Sequence, residues 1–524
     1  MSLIEREVKI SRGARWRNTI LHTLGLIMLL MGISLIAPFV TAIYFGENYE
    51  IFLTPLFILV LAGLVMLVMF KEEEDSLQAT SGIMIIGGAF LMILLVGATP
   101  FVLYGMPPID SLFESMSGIT TTGHTMVRDF ETFPQSLFLW RAMTQWIGGV
   151  SVILIFLYML PIMGIGGKGF FISEMSGSGT KNFSVRLKDS TKSFLLIYVL
   201  LTVVQAILLN LFGVNVMDSI CMTLSTVSTG GFMNSASSIA DYSNIVKMID
   251  IAFMLLGGTN FYVHFKGLYR GRVKPYFKNT EFRWTIYWYA GVSILITMLL
   301  TQASGNIELD HLAETMMDSL FTVVSMGTCT GFAVVDFTDP AIWPVPLCSI
   351  LLLITAFVGG MSGSTAGGVK MYRFVIIGKY IKNSIYKTLH PMAVYDVKLD
   401  GISVEESSVI NAFITLALFA LTVVIASVIF MLMGILPVDS IGLAITSVCN
   451  TGASVGAYGP FDTLYSLDPI VKTVMILIMF LGRLEIATAL LFFMPGFWKE
   501  VIRNRGRRTR RVREFNMRDR MRMR

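Results

Sequence analysis

One short pattern occurs four times in this 524-residue chain. An Asp-Ser pair followed by an apolar residue leads, through a mostly apolar run, to a short segment that ends in Gly. The copies run from Asp110-Ser111-Leu112 to Thr120-Thr121-Thr122-Gly123, and from Asp218-Ser219-Ile220 to Val227-Ser228-Thr229-Gly230. The third and fourth run from Asp318-Ser319-Leu320 to Thr328-Cys329-Thr330-Gly331, and from Asp439-Ser440-Ile441 to Cys449-Asn450-Thr451-Gly452. In each, Asp precedes Gly by twelve or thirteen residues. That gap predicts a short helix capped by the Asp side chain, followed by a non-helical Thr-Gly segment. Recurrence at intervals of about a hundred residues predicts a fourfold internal repeat.

Composition says where such a repeat can live. The chain is 54% hydrophobic and only 14% charged, with a mean hydropathy of +0.70, too apolar for a soluble protein of this length. A bilayer-spanning helix needs ~20 apolar residues, and residues 20–45, 51–70 and 82–104 meet that requirement. The basic lead (Arg6, Lys9, Arg12, Arg15, Arg17) precedes a run too long for a secretory signal, and no small-x-small cleavage site follows. Cys221, Cys329, Cys348 and Cys449 have no metal-type spacing and read as small packing residues. The five His form no metal pattern, which disfavours a zinc enzyme.

The expected fold is an all-α polytopic membrane protein: two N-terminal helices, then four helix/pore-loop/helix repeats in fourfold pseudosymmetry. Residues 1–76 form a cytoplasmic lead and the extra helix pair, and the acidic-basic run 71–75 is a turn. Pore repeats occupy 77–190, 191–283, 284–400 (with a gating loop) and 401–498, and 499–524 is a basic cytoplasmic tail. Span, loop and span fall at 82–162, 194–265, 284–369 and 409–493, which makes ten spans in all.

Lys and Arg placement sets orientation. None occurs between Arg283 and Lys370 or between Lys398 and Lys472, the stretches that hold the third and fourth Thr-Gly loops. Connectors such as Lys266, Arg270, Arg272, Lys274, Lys278 and Arg283 are basic, so connectors and both termini are expected in the cytoplasm of a cell-membrane protein. Glu308, Asp310, Glu314, Asp336, Asp339, Asp462 and Asp468 make the outer loops acidic, a vestibule that concentrates cations. The tail beyond Lys499, with eleven Arg from Arg503 to Arg524, is expected to meet anionic lipid rather than nucleic acid.

Four such units closed around one axis aim backbone carbonyls at a shared centre and replace a cation's hydration shell. Glycine permits the φ above zero that this requires, and the carbonyl end of each helix favours a cation. A second series follows at Gly148-Gly149, Gly257-Gly258, Gly359-Gly360 and Gly482-Arg483, each 25 to 30 residues beyond its filter Gly. Arg483, deep in an apolar run, is costly unless it faces protein or water, and the repeat points it toward the axis. Glu485, two residues on, is not its expected partner. The stretch 359–370, containing Gly359, Gly360, Gly363, Gly367 and Gly368, is too rich in Gly and Ser for a helix interior. A broken helix lining a cavity is expected there, and it lacks the order of a phosphate-binding loop.

These residues resemble the Trk/Ktr/HKT superfamily of potassium transporters, and the extra N-terminal pair points to its TrkH-type members. The likeness covers nearly the whole chain, including residues 141–149, 228–232, 363–370 and 482–485. The resemblance implies a homodimer with a potassium-selective pore in each subunit, gated by Arg483 and the third-repeat glycine loop. It further implies a cytosolic TrkA-type nucleotide-binding regulatory subunit. The fourth filter lacks the Pro expected after its Gly, His124 follows the first filter Gly as an expected outer-mouth, pH-sensitive residue, and Cys329 stands where many members have Thr.

The expected activity is gated, channel-like potassium uptake with no covalent chemistry and no cofactor beyond the transported K+. Its ligands would be the carbonyls of Thr120 to Gly123, Val227 to Gly230, Thr328 to Gly331 and Cys449 to Gly452. Rival readings are a sodium- or proton-coupled symporter, which needs acidic residues at the midplane, and a non-conducting receptor or scaffold.

Overall fold

A computed structural model describes residues 3–70, 79–163, 183–267, 271–305, 308–390 and 396–495. The turn at 71–75, Arg270 and the basic tail lie outside the described residues, as do the side chains of the N-terminal lead. The described residues are mainly α-helical, with one two-residue-strand hairpin among them, Lys398–Leu399 against Ile402–Ser403. Large apolar side chains such as Leu61, Val68, Leu200 and Val424 are exposed, whereas Ser and Thr around the Thr-Gly segments are buried. This inversion of the soluble pattern suits a chain surrounded by lipid.

Among the described residues six helices are long and apolar enough to cross a membrane, or eight if two bent pairs each count as one span. The protein is therefore a multi-pass membrane protein. The N-terminal helix Leu3–Ser34 turns at Leu35 into Ile36–Phe45, and Glu50–Met69 packs back along it. Four short helices enter the protein and stop inside it: Pro108–Ile119, Val216–Val227, Leu309–Gly327 and Pro437–Cys449. These are the pore helices, one in each predicted repeat.

Each pore helix follows a long helix and precedes another. The long helix that follows is continuous only in the first repeat, as Gln135–Met163. In the third, Pro346–Val358 ends at the glycine loop and Met371–Leu389 resumes beyond it, the break expected from Gly and Ser. The second and fourth repeats break as well: Asn244–Gly257 and Phe261–Gly267 meet at 102°, and Pro469–Arg483 and Ile486–Phe493 at 116°. The second-repeat break falls at Gly258-Thr259-Asn260, residues of low helix propensity set in an apolar run, and the fourth at Leu484-Glu485.

The four Asp do not cap the pore helices. The first, second and fourth helices begin after Pro107, Asn215 and Leu436, and Asp110, Asp218 and Asp439 sit in their first turns. There a carboxylate still favours the positive end of the helix. Asp110 instead meets Lys472 Nζ at 2.7 Å, Asp218 accepts from Asn234 at 2.8 Å, and Asp439 accepts from the Ala457 N–H at 3.0 Å. The third helix starts earlier, after Glu308, which leaves Asp318 in mid-helix.

Candidate functional site

The four pore helices end in the same backbone device. Thr121, Thr229, Cys329 and Asn450 all take left-handed φ, between 52° and 56°, a conformation that costs a side-chain-bearing residue energy and is held by its surroundings. One residue later, the N–H groups of Thr122, Gly230, Thr330 and Thr451 each reach back 2.8 Å to the carbonyls of Ser117, Ser225, Ser325 and Thr446. The next residue is glycine in every copy: Gly123, Gly231, Gly331 and Gly452.

This register moves the expected second filter segment by one residue. Its equivalents are Ser228, Thr229, Gly230 and Gly231, all thirteen or fewer residues beyond Asp218, so Asp-to-Gly is thirteen in all four copies. Val227 is the last helical residue instead. Gly230 occupies a threonine position, and the missing side chain makes room for Gln145. Gln145 Nε2 donates to the Gly230 carbonyl at 2.7 Å, and its Oε1 accepts from Ser225 Oγ at 2.5 Å and the Phe232 N–H at 3.2 Å.

The glycines close a ring. Gly123 packs against the Gly230 carbonyl, Gly231 against Thr330, Gly331 against Gly452, and Gly452 against Gly123. A side chain at any of the four would enter its neighbour's backbone. Behind the ring, the Thr120 and Thr122 hydroxyls meet at 2.7 Å and those of Thr328 and Thr330 at 2.8 Å, and Asn450 Nδ2 donates to Thr122 Oγ1 at 3.0 Å. Cys329 and Cys449 are buried beside it, and all four cysteines are free and buried.

Two buried charges brace this ring that the repeat pattern did not single out. Arg141 Nε lies 2.6 Å from Glu114 Oε1, and its Nη1 and Nη2 donate to the Met233 carbonyl and Thr125 Oγ1. Glu114 also accepts from the Met126 N–H at 2.7 Å. One ion pair thus joins the first pore helix, the first loop and the second loop. His124 is not an outer-mouth residue: it is buried, its carbonyl accepts from Ser117 Oγ at 2.6 Å, and its Nε2 lies 3.4 Å from Thr446 Oγ1.

Below the ring the glycine loop 359–370 crosses the protein interior. Its Met361 and Thr365 N–H groups donate to the carbonyls of Gly258 and Gly257, and its Gly363 carbonyl accepts from Phe261 N–H. Thr365 Oγ1 donates to the Val227 carbonyl at 3.2 Å, and the Gly368 N–H to the Cys449 carbonyl at 3.1 Å. Those two carbonyls, expected to face an ion, are held by the loop in this conformation. Gly367 touches the Cys449 carbonyl so closely that no side chain fits.

Arg483 meets the loop. It is buried, its Nη1 donates to the Thr365 carbonyl at 2.8 Å, and its Nε and Nη2 have no hydrogen-bond partner among the described residues. Glu485 turns away with a φ of 58° and pairs with Arg373 Nη2 at 2.9 Å. Of the second glycine series, Gly148, Gly257 and Gly482 pack against equivalent pore-helix carbonyls at Ile119, Val227 and Val448. Gly359 does not; it lies over Gly367, so Gly359, Gly360, Gly363, Gly367 and Gly368 all belong to the loop.

Half-crossing helices that converge on a ring of backbone, inside a shell that is apolar outward, define a polytopic membrane permeation protein. A family model described as TrkH, cation transport protein, matches residues 48–499, and the chain belongs to that family. The Trk system potassium uptake protein TrkH of Salmonella typhimurium is 31% identical over 492 residues, covering 92% of this chain and 99% of that protein. The Trk system potassium uptake protein TrkG of Escherichia coli is 30% identical over 489 residues, covering 92% of this chain and 99% of its own. The crystal structure of the potassium transporter TrkH from Vibrio parahaemolyticus matches with a TM-score of 0.82 at 26% identity, covering 92% of this chain and 99% of that one.

Proposed function

We propose that this protein carries potassium into the cell by gated, channel-like permeation along the axis of the glycine ring, without covalent chemistry. The observation that carries this reading is the ring itself: four helix C-termini, each with partial negative charge, converge on four segments whose carbonyls and glycines meet. Carbonyls turned to a shared axis replace water around a cation. In roles, Thr120 to Gly123, Ser228 to Gly231, Thr328 to Gly331 and Cys449 to Gly452 bind the ion. Loop 359–370 and Arg483 form the barrier beneath. Relatives named as potassium uptake proteins support potassium as the cargo.

In this reading both termini and the basic connectors face the cytoplasm, the protein works as a homodimer, and a TrkA-type nucleotide-binding subunit regulates it from that side. A second reading, proton-coupled uptake, has one observation in its favour. Asp250, in Asn244–Gly257, is fully buried with Gln205 Nε2 2.7 Å from Oδ1, and its Oδ2 has no hydrogen-bond partner among the described residues. A buried acid within a membrane helix is a natural proton site.

Potassium flux into liposomes that hold the purified protein separates the readings. Potassium-selective flux driven by the potassium gradient alone is expected. Flux that needs a proton gradient and is lost in Asp250→Asn would favour coupling, and sodium passing as readily as potassium would overturn the filter assignment.

A further inference from the structure

We propose that the Lys398–Ser403 hairpin sets the position of the glycine loop through Glu281, so that hairpin and gate move as one unit. The inference rests on the reading of loop 359–370 as a gate, and adds the residue that positions it.

Glu281 is the second residue of the helix Thr280–Ser304 and is 5% exposed. Its Oε1 accepts from the Ser362 N–H at 2.7 Å and from the Tyr372 N–H at 3.3 Å. Ser362 lies near the start of the loop and Tyr372 just past its end, so one carboxylate clasps both ends. Charge-assisted bonds of this kind are roughly twice as strong as neutral ones.

The neighbouring residue is tied to the hairpin. Asp400 and Gly401 have φ of 50° and 86°, the two positive values of a tight two-residue hairpin turn. From that turn Asp400 accepts from the Thr280 N–H at 2.8 Å and from Asn279 Nδ2 at 3.4 Å. Hairpin and loop therefore hang on consecutive residues, Thr280 and Glu281.

Two further contacts make the connection stiff. Leu399 packs against the cluster of Val358, Met371 and Val375, drawn from the helices on both sides of the loop. Lys379 Nζ donates to the Lys398 carbonyl at 2.7 Å. The 25-residue helix that starts here ends beside the third pore helix's N-terminus, which places the hairpin at the opposite face. Asp400, Gly401 and Ser403 are exposed there, while the loop's far side holds the Val227 and Cys449 carbonyls.

The test uses the full-length protein in liposomes. Glu281→Gln weakens the clasp, and about a tenfold rise in basal potassium flux is expected, the size of one charged hydrogen bond. Asp400→Ala, on the exposed turn, is expected to raise flux in the same direction. The double variant is expected to exceed neither single variant by more than twofold, with potassium-over-sodium selectivity unchanged throughout. Hydrogen exchange supplies a readout independent of flux: the Ser362 and Tyr372 amides exchange faster in Asp400→Ala. Wild-type flux and exchange in Asp400→Ala would overturn the proposal, as would fully additive effects or a change of selectivity. A wild-type protein without potassium flux would sink the gate reading, and the exchange rates would still decide the link.

Discussion

At position 230 the second repeat carries glycine where the others carry Thr122, Thr330 and Thr451, and Gln145 fills the vacated space. Adding a side chain there drives it into the Gln145 amide, whereas Gly231 faces the Thr330 carbonyl, which is backbone and cannot yield. Gly230→Thr is therefore expected to abolish uptake and Gly230→Thr with Gln145→Ala to restore part of it, since the second change clears the space that the threonine needs. Gly231→Ala, with its positive φ, is expected to lose uptake beyond rescue. Potassium uptake by a transport-deficient host reads all three, and a harmless Gly231→Ala would return the filter to 227–230. Counting thirteen residues from Asp218, the spacing of the other three copies, lands on Gly231, but Thr229-Gly230 matches the Thr-Gly ending one residue earlier, and backbone torsion decides between the two. Arg483, by contrast, was legible, since an arginine in a glycine's place within an apolar helix requires a polar use. Arg483→Ala removes the bond to the Thr365 carbonyl and the positive charge beneath the ring, so basal flux is expected to rise at least about tenfold. Flux equal to wild type at equal expression would remove Arg483 from the barrier.

Among the elements, the pore helices owe their position to side chains that no repeat count exposes. Glu114 projects from the first pore helix and Arg141 from the helix that follows it, 2.6 Å apart and almost wholly buried. Burying both charges costs desolvation that their attraction offsets only when both are present. Arg141→Met strands Glu114 and is expected to cost about 3–5 kcal/mol of stability. Arg141→Met with Glu114→Gln is expected to cost less than the single change. Thermal unfolding in detergent checks the order, and a double variant less stable than the single would contradict it. The pair was hidden in the sequence because 27 residues separate its members, and a charge within an apolar run does not announce its partner. The multi-pass character and the third-repeat break were visible, being written in apolar length and in Gly and Ser. The bend after Arg483 was not, because it lies in an apolar run and its arginine is held by the loop, and the bend at Gly258-Thr259-Asn260, though of low helix propensity, was masked by the apolar residues on either side.

Across the whole molecule, a ring of four repeats exists only if the fourth returns to the first. Among the contacts that make that return are Lys472 to Asp110 at 2.7 Å, the Leu464 N–H to the Thr125 carbonyl at 3.0 Å, and Asn450 Nδ2 to Thr122 Oγ1 at 3.0 Å. The ion pair joins residues 362 apart in sequence, so the chain entropy lost on closure is near its largest here, although it grows only slowly with length. Lys472 also accepts no water-side freedom: it is buried, donates to the Tyr465 carbonyl at 2.8 Å and lies 5.0 Å from the Tyr465 ring centroid. Lys472→Met leaves Asp110 buried and unpaired at the mouth of the first pore helix. Because the seam it loosens carries Gly123 and Gly452, potassium-over-sodium selectivity is expected to fall before the rate of uptake does. Adding Asp110→Asn removes the stranded charge and is expected to recover selectivity in part, which separates loss of closure from loss of a cation at the entrance. Competition between the two ions in liposomes provides the measurement. If selectivity stays at the wild-type level while the unfolding temperature drops, the seam between the first and fourth repeats holds the fold together without shaping the ring.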